Sequence, residues 1–315
     1  FLVKYSTKHL IIFPAQMFMK TKIFILYAIM SLCWGLTWYF LKISLRTMPM
    51  YWGLSLRFLI AGAIFWGLYY YKSERIVLTS KLRSVYIMFA LFNFTIGYFL
   101  TYWATQYIYS NLGAILWSLF PISVAGMAHL FLPDDRMNLR KSFSMAVGLA
   151  GTILLLYNGE SLGEGKVFMG IMAILIAVFL AAWPNVYMKM GNHKMNAYHL
   201  NAVGMTFSGI IMLIASLIVE QGQTMPTDLE NLFALFFLTV PGTVVTWGIY
   251  IWLFNHLRVS QLSYVAFFPP VVAILMGWLF LGESLPWVTL AGAGLVIMGG
   301  FLINYNPQEP TAVEP

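Results

Sequence analysis

Thr95, Tyr98, Tyr102 and Gln106 follow one another at spacings of three and four, which sets four hydrogen-bonding side chains on one face of a helix. Thr239, Thr243, Trp247, Tyr250 and Phe254 share a face in a later apolar run, and Thr95 and Tyr102 each stand 148 positions before Thr243 and Tyr250. Trp34 and Trp38 are four apart in a third run, and Trp117 stands one turn before Pro121. Rings with polar tips suit a cavity that holds a partly apolar solute and some water. Anchoring at a membrane boundary or ordinary helix packing is the other reading, since Trp and Tyr concentrate at interfaces. Mid-run Tyr98, Tyr102 and Tyr250 favour the cavity, because an isolated hydroxyl facing hydrocarbon is costly. Trp66, Tyr69, Tyr70 and Tyr71 lie near a run's end and read as anchors.

Arg57, six residues after Tyr51, is the one basic residue well inside an apolar run. Two roles compete: receiving a carboxylate or phosphate, or snorkelling outward and capping helix carbonyls, with the second favoured because snorkelling is cheap at this depth. His129, near a run's end, reads as packed or interfacial. All eleven acids, from Glu74 to Glu314, fall in loops, tails or run ends. Cation-coupled carriers commonly keep a carboxylate in the membrane, so carboxylate-based proton coupling is not expected. No metal-ligand cluster or nucleophile–base pair is visible, so neither an enzyme nor a metal or cofactor site is expected.

The elements that must position these residues are membrane helices. Of 315 residues, 60% are hydrophobic and 9% charged, too few charges to coat a water-soluble globule. Apolar runs of spanning length recur near 22–42, 51–71, 84–105, 112–132, 142–157, 168–188, 200–219, 231–254, 261–281 and 286–304. If they alternate, the amino-terminal segment and the loops after the even-numbered runs carry fourteen basic residues and the opposite side three: Lys42, Arg46 and Lys166. That imbalance places both termini in the cytoplasm. The net charge of +7 is therefore topology, not a nucleic-acid surface. The one cysteine, Cys33, lies inside a run and excludes an internal disulfide. Residues 1–21 read as a cytoplasmic extension whose apolar stretch ends at Pro14, with Met17 and Met19 as candidate starts; residues 305–315 read as a disordered cytoplasmic tail.

The chain is also duplicated. Ser118 to Asp135 and Ala266 to Glu283 each give an apolar helix with an early proline, an apolar exit and an acidic turn; Pro121 and Pro269, like Asp135 and Glu283, are 148 apart. At an offset of 147, Lys42 pairs with Lys189, Tyr51 with Tyr198 and Gly62 with Gly209. Five runs per half is odd, so halves 22–157 and 158–304 enter the membrane from opposite faces, an arrangement that places a substrate site between them near the midplane. Pro121, Pro184, Pro241 and Pro269 fall inside runs and read either as hinges or as fixed kinks. Gly148, Gly151, Gly292, Gly294, Gly299 and Gly300 offer close-approach surfaces, and nothing selects an oligomeric face.

Trp34-Gly35 followed by Lys42, Pro49 before the second run, Arg57 within it, the Pro121 and Pro269 helices and the Leu-Gly-Glu-Ser turn at 281–284 resemble the drug/metabolite transporter superfamily, EamA type. The resemblance covers residues 22–304. It implies an all-α carrier of about ten transmembrane helices in two inverted five-helix repeats, with a central cavity lined by helices 1, 3, 4, 6, 8 and 9. Pro133-Asp134-Asp135 departs from the Gly-Glu that the family often has there, so a shared role for those carboxylates does not follow. Asn185, Tyr264 and Phe268 complete the candidate cavity set. The expected function is export of small amphipathic metabolites, amino acids or related compounds, by alternating access in a bacterial inner membrane. A sugar-phosphate or nucleotide-sugar exchanger is the alternative carrier, and a non-transporting scaffold or receptor the alternative class. The expected partners are a small-molecule substrate and the lipid bilayer.

Overall fold

Hydrocarbon cannot hydrogen-bond a peptide group, so an apolar chain of this kind must satisfy its backbone internally. The computed structural model describes residues 8–72, 79–157, 165–191, 196–224 and 226–304, and every regular element among them is helical. They are α1 (Lys8–Ser44), α2 (Met50–Lys72), α3 (Ser80–Thr105), α4 (Ser110–Trp117), α5 (Phe120–Phe131), α6 (Leu139–Tyr157), α7 (Gly165–Met190), α8 (Ala197–Val219), α9 (Leu229–Phe254), α10 (Val259–Ser263), α11 (Pro269–Leu281) and α12 (Trp287–Asn304). Among the described residues, seven stretches are long and apolar enough to cross a membrane: Thr21–Ser44, α2, α3, Ser110–Phe131, α7, α8 and α9; Val265–Leu281 and Trp287–Gly299 are shorter apolar helices. The chain is a multi-pass, all-helical membrane protein. The α1 helix passes through Pro14, where one proline forfeits a single backbone hydrogen bond in a helix of 37 residues. The 305–315 tail lies outside the described residues.

Two departures from α-geometry recur 148 or so positions apart. Phe89–Gly97 within α3 and Val240–Val245 within α9 are wound as π-helix, the second entered at Pro241. Thr95 Oγ1 donates to the Ala90 carbonyl (2.7 Å) and Thr243 Oγ1 to the Leu238 carbonyl (2.8 Å), each five residues back. Likewise α4 and α5 part at Ser118–Leu119, and α10 and α11 are joined by a 3-10 turn, Tyr264–Phe267. Pro121 and Pro269 each sit in the first turn of a new helix, where the missing N–H has no intrahelical partner to lose. Pro184, by contrast, lies inside the continuous α7.

Packing is reciprocal. A Cβ built on Gly62 would lie 2.6 Å from Thr206 Oγ1, and one on Gly209 would lie 2.8 Å from Leu59 Cγ. Leu59 and Thr206 are 147 apart, as are Gly62 and Gly209, so α2 and α8 cross with the same contact made twice, as across a local two-fold axis. Gly299 of α12 comes equally close to α6, its Cβ position 2.7 Å from both Gly148 N and the Ser144 carbonyl.

The ends are tied in matching ways. Lys42 Nζ donates to the Thr105 and Ile108 carbonyls (2.7 and 2.8 Å), closing the C-terminus of α3. Lys189 Nζ does the same for α9 through the Phe254 and Leu257 carbonyls (2.8 and 2.9 Å). A cation there satisfies orphan carbonyls and meets the negative end of the helix dipole. Gly282, in the left-handed region at φ 66°, ends α11 and turns Glu283 back. The Glu283 carboxylate accepts from Ser110 N, Ser110 Oγ and Asn111 N (2.7, 2.7 and 3.2 Å), capping α4. Asp135 instead pairs with Lys141 at 2.6 Å, and the two acids differ as the changed motif implies.

Candidate functional site

Between these elements lies a cavity of about 120 Å³. Trp34, Thr37, Trp38 and Leu41 of α1 form one wall; Asn93, Tyr98, Thr101 and Tyr102 of α3 form another. Ala114, Trp117 and Phe120 from α4 and α5, Trp247 and Tyr250 from α9, and Val265, Ala266 and Pro269 close the rest, while Arg57 alone reaches in from α2. Trp38 gains its place because Gly113 presents no side chain to it, and Gly35 likewise lets α11 approach α1 at Val272.

The aromatic walls are fixed by their polar tips. Trp247 Nε1 donates to Tyr98 Oη (2.8 Å), Trp117 Nε1 to Thr101 Oγ1 (3.2 Å) and Tyr250 Oη to Asn185 Oδ1 (2.8 Å). Trp34 lies 6.0 Å from Trp247 and 5.7 Å from Tyr250 between ring centroids, within the range of favourable aromatic pairs. Trp247 and Trp117 thus spend their indole N–H groups, and Tyr250 its hydroxyl proton, on neighbouring residues.

Arg57 does not snorkel. It is 1% exposed, in the third turn of α2. Nε donates to Thr243 Oγ1 (2.7 Å), Nη1 to Tyr102 Oη (3.1 Å) and Nη2 to the Gly242 carbonyl (3.3 Å), the last inside the π segment of α9. Its guanidinium carbon lies 5.1 Å from the Tyr98 ring centroid and 5.9 Å from that of Tyr102. Among the described residues no carboxylate lies within 4.0 Å of it. A buried cation without an acid partner is costly unless dipoles replace its hydration, and here two hydroxyls, a carbonyl and two ring faces do so. Carbonyl capping is thus one part of its role, and the rest faces the cavity.

Trp34, Trp38, Tyr98, Tyr102, Trp117, Trp247, Tyr250 and Pro269 are brought together as cavity wall. Thr95 and Thr243 are not on it: both hydroxyls turn back into their own π segments. Asn185 stands behind Tyr250, its amide nitrogen donating to the Ala181 carbonyl (2.8 Å), so α7 supports the wall without forming it. Phe268 is 44% exposed and points away, because the 3-10 turn before Pro269 rotates it outward. The Tyr264 side chain lies outside the described residues. Gln106 sits beyond the cavity, with Nε2 3.0 Å from Met50 Sδ, and His129 Nδ1 accepts from Met137 N (3.0 Å). Asn93, unremarkable in sequence, is 3% exposed and lines the cavity.

Two stretches of the chain, residues 21–157 and 168–305, each match the EamA-like transporter family. The chain is 26% identical over 279 residues to the uncharacterized transporter YoaV of Bacillus subtilis, covering 88% of this chain and 94% of that one. It is 24% identical over 271 residues to the uncharacterized inner membrane transporter YedA of Escherichia coli, covering 86% and 87%. A solved crystal structure, titled only as that of a protein, superposes with a TM-score of 0.70 over 90% of this chain and 97% of its own, at 15% identity, and so shares the fold. With the family matched twice along most of its length, the chain belongs to the EamA-like transporters of the drug/metabolite transporter superfamily and is a membrane transporter.

Proposed function

We propose that this transporter moves small amphipathic metabolites, amino acids or related compounds, across the bacterial inner membrane by alternating access around the Arg57 cavity. In this reading the chain makes ten passes in two inverted five-helix halves, residues 22–157 and 158–304, with both termini cytoplasmic. The reciprocal α2–α8 contacts, the twofold family match and the uneven distribution of basic residues support that topology. Arg57 carries the substrate reading: a buried cation on an otherwise aromatic wall suits a solute with an apolar body and an acidic group. The volume is below the roughly 300–1,000 Å³ usual for ligand pockets, so loading requires the walls to part. The helix breaks at Pro121 and Pro269 are the hinges we assign to that motion, since neither holds a continuous hydrogen-bond ladder.

No aspartate or glutamate lines the cavity among the described residues. An uncoupled carrier follows its solute's gradient, and outward flow of cytoplasmic metabolites is the direction this favours. A sugar phosphate or nucleotide sugar brings at least two negative charges, and Arg57 is the sole cation on the described wall, which disfavours that exchanger. Counterflow in proteoliposomes preloaded with amino acids, aryl carboxylates or sugar phosphates tests the reading. Uptake of an amino acid or carboxylate without a pH gradient is expected; counterflow of sugar phosphates alone would contradict it.

A further inference from the structure

An arginine has five N–H groups. Arg57 spends one from Nε on Thr243, one from Nη1 on Tyr102 and one from Nη2 on Gly242. Each terminal nitrogen therefore keeps one N–H uncommitted among the described residues, two donors that a carboxylate's oxygens could accept from. Asn93 lines the same cavity, and its carboxamide makes no hydrogen bond with the described residues, leaving an amide donor and an amide acceptor on the wall. The described wall holds no acid to pair with an ammonium. Trp247 and Trp117 have spent their indole N–H groups and Tyr250 its hydroxyl proton elsewhere. Only neutral acceptors, the Asn93 amide oxygen and the Tyr98 and Tyr102 hydroxyl oxygens, and ring faces are left to an entering ammonium, against repulsion from Arg57.

We infer that the site is selective for net charge: it takes monoanionic carboxylates with an aromatic or bulky apolar body, discriminates against zwitterions of the same shape, and excludes the corresponding amines. This rests on the carrier reading above and narrows its solutes, preferring related carboxylates without an ammonium group over the amino acids themselves. Arg57 and Asn93 are the specificity-determining residues, and Thr243, Gly242 and Tyr102 position the guanidinium.

The test uses one ring and one chain length with three charges: 3-phenylpropionate, phenylalanine and 2-phenylethylamine, titrated calorimetrically into the purified full-length protein. The expected order is the anion at least tenfold tighter than phenylalanine, with the amine weakest. Arg57→Gln should cost the anion tenfold or more without weakening the amine. Asn93→Asp, which leaves the three Arg57 bonds in place and puts an acid on the wall, should bring the amine above the anion and guards against a folding defect in Arg57→Gln. Phenylalanine or the amine binding as tightly as the anion to the unaltered protein would overturn the inference, as would an unchanged order in Asn93→Asp. Counterflow with all three separates the two claims: movement of phenylalanine or the amine in preference to the anion breaks the charge selectivity alone, whereas no movement of any of them, beside counterflow of sugar phosphates, breaks the amphipathic-metabolite reading on which it rests.

Discussion

The two π-wound segments occupy equivalent places in the two halves and use the same threonine bond, yet they meet different partners. Phe94 of the first packs onto Gly204 of α8, where a Cβ would lie 2.7 Å from its ring. In the second the equivalent of Phe94 is Gly242, and the equivalent of Gly204 is Arg57. Large and small residues have changed sides at the same crossing, and an apolar ring in one half answers to a cation in the other. Duplication thus supplies the scaffold, and divergence at one residue pair supplies the polarity of the cavity.

If the scaffold is shared, damage to either half should be alike. Gly62→Leu and Gly209→Leu should both abolish folded protein on size-exclusion chromatography, since each drives a side chain into a backbone crossing; survival of one would break the symmetry. Lys42→Met and Lys189→Met should each lower stability by about 2–4 kcal/mol, two buried carbonyls losing their donor, seen as similar falls in thermal midpoint in detergent. The walls should then separate the halves. Thr243→Val should weaken solute binding several-fold by releasing Arg57, whereas Thr95→Val, which loses only its own return bond of about 1 kcal/mol, should leave binding unchanged. The smallest effect lies outside the membrane. Asp228 caps α9, and the Asn231 backbone and side-chain N–H groups that it accepts hold its carboxyl below the usual carboxylate range. Its contribution is fully present above the ordinary carboxylate pKa and lost as pH falls through the depressed one; Asp228→Asn should remove that acid-side slope from the midpoint-versus-pH curve.

The helices and the repeat were legible because hydrophobicity and offset are additive signals. Lys42 with Lys189 and Gly62 with Gly209 were paired by sequence, and the structure gives each pair one job. The cavity face was less legible because the reading assumed uniform α-winding. A π segment inserts an extra residue, so the wall runs Asn93, Tyr98, Tyr102, with a step of five, and Thr95 is carried off it. Composition gives no sign of such an insertion. The snorkelling half of the Arg57 reading fails for a related reason, since snorkelling depends on free space above the residue and the Thr243–Gly242 segment of a helix far along the chain fills it, while the carbonyl-capping half is seen at Gly242. Phe268, expected on the cavity, is 44% exposed, and the 3-10 turn that precedes it leaves no trace in composition.

The central claim is that the Arg57 cavity opens to each face in turn. Ala114 lines it, is 1% exposed and is small enough to replace. In a Cys33→Ser background, Ala114→Cys can be challenged with a membrane-impermeant thiol reagent in right-side-out and inside-out vesicles. Alternating access predicts labelling from both sides, slowed from both by 3-phenylpropionate. Labelling from one side only, unaffected by the solute, would contradict it.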